Sequence, residues 1–87
     1  MTGHGQAKRR QTVTLLTRVG CHLCEQAKPL LAEICADTGA ELREVDVDSD
    51  PELRAEYGDR LPVFLLDGRE HGYWRVEPDR LRATLTA

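Results

Sequence analysis

The feature that most constrains this chain is an abrupt change of period around a cysteine pair. Thr12-Val13-Thr14-Leu15-Leu16-Thr17 is a β-branched, apolar run of strand length. Gly20 breaks that run, and from Leu23 onward the apolar positions fall at helical spacing. At about 100° per residue, Leu23, Cys24, Ala27, Leu30, Leu31, Ile34 and Cys35 share one stripe, with Glu25, Gln26, Glu33 and Ala36 opposite. Thr38-Gly39 supplies the stop. The pair Cys21-His22-Leu23-Cys24 therefore stands where a strand hands over to a helix. Pro29 lies inside that helix, where a proline costs about 3 kcal/mol and predicts a break or a bend.

Val45-Asp46-Val47-Asp48 closes a second strand that begins near Glu41. Ser49-Asp50-Pro51-Glu52 carries a capping side chain, a proline for the first helical position and an acid for the first turn. The helix it opens is short, with Leu53 and Tyr57 on one face and Gly58 at its end. Val63-Phe64-Leu65-Leu66 is a fully apolar strand, Asp67-Gly68 a hairpin turn, and Arg69 to Val76 an antiparallel return. Pro78-Asp79 starts a last helix with Leu81 and Leu85 inward. The order β-α-β-α-β-β-α predicts an α/β domain. A right-handed crossover joins two parallel strands, and a hairpin completes a four-stranded mixed sheet with helices on both faces. Residues 1–10 are polar and aperiodic and read as a flexible tail, leaving 11–87 as a single domain.

At 87 residues the chain has no room for a two-domain enzyme or a dinucleotide-binding fold. With 12 Lys+Arg against 15 Asp+Glu, its net charge of −3 argues against nucleic acid as a partner. Lys8-Arg9-Arg10 is its one local basic run. No apolar stretch approaches the roughly 20 residues that cross a bilayer, so no membrane partner is expected. The start, Met1 to Gln6, lacks an apolar signal core. A cytoplasmic monomer is the expectation.

Three cysteines are an odd number, which suits a disulfide-stapled scaffold poorly. A pair at a strand–helix junction has chemistry of its own. The first N–H groups of a helix lack intrahelical partners, and the positive end of its dipole points outward there. A thiolate at Cys21 is favoured in that place, so its pKa is expected to fall from about 8.5 into the redox range of about 3.5–7.5. Arg18 and His22 add positive potential, and Glu25 opposes it. Cys24, one turn deeper on the apolar stripe, is expected to be more buried, and residues three apart on a helix are within disulfide reach. Cys21 would attack a target disulfide and Cys24 would resolve the mixed disulfide. Cys35 lies about 16 Å further along a straight helix at ~1.5 Å per residue, and reads as a small buried hydrophobe.

Taken together, the first strand, Arg18-Val19-Gly20-Cys21-His22-Leu23-Cys24 and the late Leu61-Pro62-Val63 resemble the glutaredoxin branch of the thioredoxin superfamily. More narrowly, the chain is similar over residues 11–86 to short bacterial glutaredoxin-like domain proteins. The resemblance implies a thioredoxin-like fold and a thiol–disulfide oxidoreductase that reduces protein disulfides or mixed disulfides with a small thiol. Cys21 and Cys24 would be catalytic, with Arg18, His22, Leu61 and Pro62 at the substrate. Pro62 would be cis and face Cys21, the Leu61 backbone would pair with an extended substrate, and Pro29 would match the proline of the thioredoxin active-site helix. No bound cofactor is implied. The electron donor would be external, namely glutathione, mycothiol or a reductase, and the partner a disulfide-containing protein or a low-molecular-weight thiol.

The chain departs from the family pattern at several points. His22-Leu23 replaces the Pro-Tyr common in glutaredoxins, and Leu15 stands where thioredoxins keep a buried acid. Arg69-Glu70-His71-Gly72-Tyr73-Trp74 carries one glycine where glutaredoxins show Gly-Gly followed by the Asp that grips glutathione. Other functional readings compete. Structural zinc wants four ligands and finds a single cysteine pair, so no metal site is expected. Some glutaredoxins hold an iron–sulfur cluster between two subunits through the first cysteine. A thioredoxin-fold module could instead dock partners at Leu61-Pro62 with idle cysteines. His71 reads as part of an exposed strand face. Tyr73 and Trp74 read as sheet-edge packing or as the lining of a groove, and Arg60 as a solvated side chain or a partner for a substrate carboxylate.

Overall fold

The β-branched and apolar runs become strands and the periodic stretches become helices in a computed structural model that describes residues 10–86. The elements are β1 (Thr12–Thr17), α1 (His22–Thr38), β2 (Glu41–Asp46), a 3-10 turn (Val47–Ser49), α2 (Pro51–Tyr57), β3 (Val63–Leu66), β4 (Arg69–Tyr73) and α3 (Pro78–Thr86). The tail expected over residues 1–10 lies, apart from Arg10, outside the described residues. The sheet has four strands in the order β2-β1-β3-β4. β1 runs parallel to β2, from Thr12↔Glu41 to Thr17↔Asp46, and antiparallel to β3, which is in turn antiparallel to β4. This is the mixed sheet that the element order predicts.

Helices cover both faces. Val13, Leu15 and Phe64 pack with Ala27, Leu31, Ile34 and Cys35 of α1 and with Leu81 and Leu85 of α3. On the other face Leu16 and Val63 meet Val47, with Leu53 and Tyr57 of α2 against them. A strand buried on both sides needs no alternation, which is why Leu15 and Leu16 stand side by side. Two helix ends follow their sequence signals. Gly39 caps α1 in the left-handed conformation, and the Asp50 carboxylate accepts the Glu52 N–H at 2.9 Å ahead of Pro51.

The structure corrects several expectations. Of the break or bend expected at Pro29, the break does not occur: α1 continues through an exposed proline ring, which leaves the Glu25 carbonyl without its helical N–H partner. β2 ends at Asp46 rather than Asp48, because the Asp46 carboxylate accepts the Asp48 N–H and turns Val47 into the core. β4 ends at Tyr73 rather than Val76, where Trp74 takes a positive φ of 72°. Leu23 is 49% exposed despite its place on the apolar stripe.

The β3–β4 turn is a two-residue hairpin with both central residues left-handed, Asp67 at 50° and Gly68 at 87°. The Asp67 carboxylate also accepts the Thr12 N–H at 2.8 Å and so pins the hairpin to the start of β1. The ladder between Phe64↔Gly72 and Leu65↔Glu70 skips His71, which forms a bulge. His71 is consequently half-buried instead of lying on an exposed strand face, and its Nε2 has no hydrogen-bond partner among the described residues.

Two measurements follow from this packing. Leu31→Ala empties a fully buried site, and urea unfolding should register a loss of about 2–5 kcal/mol. Burial, with help from Arg80 and against Glu77, pushes the His71 pKa below 6.5. The unfolded chain therefore takes the proton first, and stability falls as pH drops from about 6.5 through the lowered folded value. In a series of urea midpoints against pH, His71→Leu should flatten that limb.

Candidate functional site

Strand register gathers the site at one end of the sheet. β1 leaves the sheet at Thr17 beside Asp46, Leu16 pairs with Val63, and Val63 pairs with Tyr73. The segment before α1, the Leu61-Pro62 step and Trp74 therefore emerge at the same edge. Gly20, with φ of 85°, turns the chain from β1 into the helix in a conformation that side-chain-bearing residues rarely adopt.

Cys21 is the N-cap of α1, with extended backbone at φ −83° and ψ 106°. The Cys24 N–H donates to its Sγ at 3.2 Å and the Glu25 N–H to its carbonyl at 3.1 Å. Its own N–H donates to the Arg18 carbonyl at 3.1 Å, closing the turn. Cys21 and Cys24 form a disulfide with Cα atoms 5.2 Å apart, inside the range such bridges adopt. The two sulfurs differ in surroundings. Cys21 is half-buried and flanked by the exposed His22 and Leu23, whereas Cys24 is fully buried. Cys35 is a free thiol in the core, and burial raises its pKa against the opposing charge of Arg10.

Neighbouring charges are largely paired off. Arg18 makes a two-pronged bond to Asp48, at 3.0 and 3.1 Å, and its guanidinium holds the Asp48 carboxyl below the ordinary carboxylate value. The positive potential expected from Arg18 at Cys21 is thus offset by a partner. Glu25, expected to oppose a thiolate, is paired with Lys28 at 2.8 Å, a cation it shares with Glu44 at 2.6 Å. Directed at Cys21 are the helix terminus and, beside it, the exposed His22.

The Leu61-Pro62 bond is cis, with Pro62 buried and Leu61 half-buried. Neither the N–H nor the C=O of Leu61 bonds to any described residue, while the Pro62 carbonyl accepts the Trp74 N–H at 2.8 Å. The Arg75 N–H reaches back to the Tyr73 carbonyl at 2.9 Å. With φ of 72° at Trp74, this is a positive-φ γ-turn, a rare and strained arrangement worth about 1–3 kcal/mol for a residue other than glycine.

Trp74 is the element that sequence reasoning placed least well. Its indole stands edge-on to Tyr73, centroids 5.1 Å apart, and the residue is 56% exposed. Tyr73 lies 6.0 Å from the Arg60 guanidinium, which also faces Tyr57 at 5.3 Å and bonds Glu70 at 3.2 and 3.3 Å. Arg60, partly exposed, is therefore tied to Glu70 and set against two aromatic rings, with most of its donors engaged inside the domain. Together Leu23, Gln26, Ala27, Leu30, Trp74, Arg75 and Val76 line a groove of about 190 Å³ beside the cysteine pair. The available sequence signal was two aromatics in succession at the end of an edge strand. Among the described residues, no three His, Cys, Asp or Glu side chains converge to hold a metal ion, and no helix is long and apolar enough to cross a membrane.

Comparison with known proteins agrees with this geometry. An uncharacterized protein of Mycobacterium tuberculosis is 51% identical over 81 residues, covering 87% of this chain and 84% of that one. The solution NMR structure of a Nitrosomonas europaea protein superposes with a TM-score of 0.77 at 26% identity, covering 87% of this chain and 92% of that one. Fasciola hepatica thioredoxin gives a TM-score of 0.64 at 26% identity, over 94% of this chain and 84% of that one. The fold is thioredoxin-like. The family model of the glutaredoxin-like domain (DUF836) matches residues 12–86, and the chain belongs to that family.

Proposed function

We propose that this protein is a dithiol–disulfide oxidoreductase that reduces protein disulfides, or mixed disulfides with a small thiol. The observation that carries this is the asymmetric pair on the helix terminus: Cys21 caps α1 within reach of solvent, and Cys24 is buried one turn away with its N–H on the Cys21 sulfur. Once the bridge is reduced, the open N–H groups and the helix dipole favour the Cys21 thiolate over the thiol. That thiolate attacks one sulfur of the target disulfide, forming a Cys21–target bond and expelling the other sulfur as a thiolate. The Cys24 sulfur, deprotonated as it attacks, then displaces the target from Cys21 as a second thiolate. The target has gained two electrons, the chain is left with its Cys21–Cys24 disulfide, and an external thiol or dithiol reductant returns it to the reduced state. The unpaired N–H and C=O of Leu61 supply hydrogen bonds for an extended target, with Pro62 and His22 beside it. Such recycling suits a reducing compartment, the cytoplasm.

Three outcomes test this. Cys21→Ser should reduce a mixed disulfide no faster than buffer with the same reductant. Cys24→Ser should keep the first step and accumulate a Cys21–target adduct, visible by intact mass spectrometry. In the reduced protein, Cys21 should alkylate with iodoacetamide at pH 6 well ahead of an ordinary thiol of pKa about 8.5, and equal rates would remove the basis of the proposal.

A further inference from the structure

We propose that Trp74 is the specificity-determining residue of this site. It walls an apolar recess that receives the side chain next to the reacting cysteine of an extended polypeptide. The proposal rests on the oxidoreductase function above and names its substrate class.

Backbone conformation is the first ground. Trp74 sits at the centre of a γ-turn with φ of 72°, a place where glycine would be free of strain. Such strain persists where the surroundings impose it, and it points to a role for the side chain. Internal packing is not that role, since Trp74 is 56% exposed.

The second ground is the support behind the ring. Glu70 fixes Arg60 through two bonds, Arg60 faces both Tyr57 and Tyr73, and Tyr73 meets the indole edge-on. An aromatic held from behind and open in front is built as a contact surface.

The recess itself gives the third ground. Leu23, Ala27, Leu30 and Val76 provide an apolar lining, and Arg75 is its one charged member. Glutathione brings two carboxylates and an ammonium, and no acid in this lining would meet the ammonium. An aliphatic side chain matches the surface better. Its backbone also has a place to lie, because the Trp74 N–H donates to the Pro62 carbonyl and the residue before Pro62, Leu61, has neither backbone group bonded to a described residue. The large exposed hydrophobics of the described chain, Val19, Leu23, Tyr73 and Trp74, all belong to this end of the sheet.

The test uses two capped pentapeptides with a central cysteine flanked on both sides by Leu or by Ser. Each carries the cysteine as a mixed disulfide with thionitrobenzoate, and dithiothreitol serves as donor. Wild type should prefer the Leu peptide by about tenfold or more in kcat/KM. Unreactive copies with Ala in place of the cysteine should differ in the same sense in Kd by NMR titration. Trp74→Gly should abolish both preferences while melting at or above the wild-type temperature, because glycine relieves the turn. Trp74→Phe should retain most of the preference, and Arg60→Met should weaken it with the recess residues intact. Equal values for the two peptides in wild type, a preference that survives Trp74→Gly, or a drop in Tm for that variant would each overturn the proposal. If wild type releases thionitrobenzoate no faster than Cys21→Ser, the oxidoreductase function fails instead, and the Kd values alone decide whether the recess selects apolar side chains.

Discussion

Everything at the site depends on the double burial of β1. This strand is hydrogen-bonded along both edges and covered on both faces. Because β2 lies parallel to it, the chain must travel back the length of the sheet between them, and α1 is that return. The start of α1 is thereby fixed at the carboxyl end of β1, and its first unpaired N–H groups face outward from that edge. The antiparallel partners then deliver Leu61-Pro62 on one pass and Trp74 on the next to the same edge. A slip of one residue in any of these pairings would turn core side chains outward and separate the cysteines from the rest of the site.

Electrostatics around the pair is quieter than the count of charged residues suggests. Arg18–Asp48 is a surface bridge with both side chains more than a third exposed, and solvent screening leaves such pairs little net worth in stability. Its value is mechanical. The Arg18 guanidinium lies against Gly58 and reaches Asp48, linking the turn before α1 to the 3-10 turn and to the end of α2. Lys28 joins α1 to β2 through Glu44 in the same way. With these cations engaged by carboxylates, the favourable field at Cys21 comes chiefly from the backbone dipoles of the helix start.

Much of this was legible in the sequence because it is periodic. The stripe from Cys24 to Cys35, the Asp50-Pro51 start and the Asp67-Gly68 turn are local signals with local causes, and each appears in the structure where its residues place it. The misses are tertiary. Leu23 belongs to the stripe but is half exposed at the groove beside Trp74. Val47 fits an alternating strand, yet Asp46 captures the Asp48 N–H and diverts the chain. His71 leaves the strand pattern only through a bulge, and Trp74 ends β4 by a turn that no propensity favours. Arg60 was ambiguous in one dimension because its partners, Tyr57, Glu70 and Tyr73, come from two different elements.

The seclusion of Cys35 has a practical meaning. A third sulfur in a chain that already holds a disulfide invites wrong pairings, but this one is walled off among Ala27, Leu31 and Ile34, and burial raises its pKa. The oxidised molecule thus has one covalent isomer. Any modification of Cys35 by a bulky maleimide must wait for the interior to part, so its labelling rate clocks breathing of the domain, separately from any reaction at the other two sulfurs.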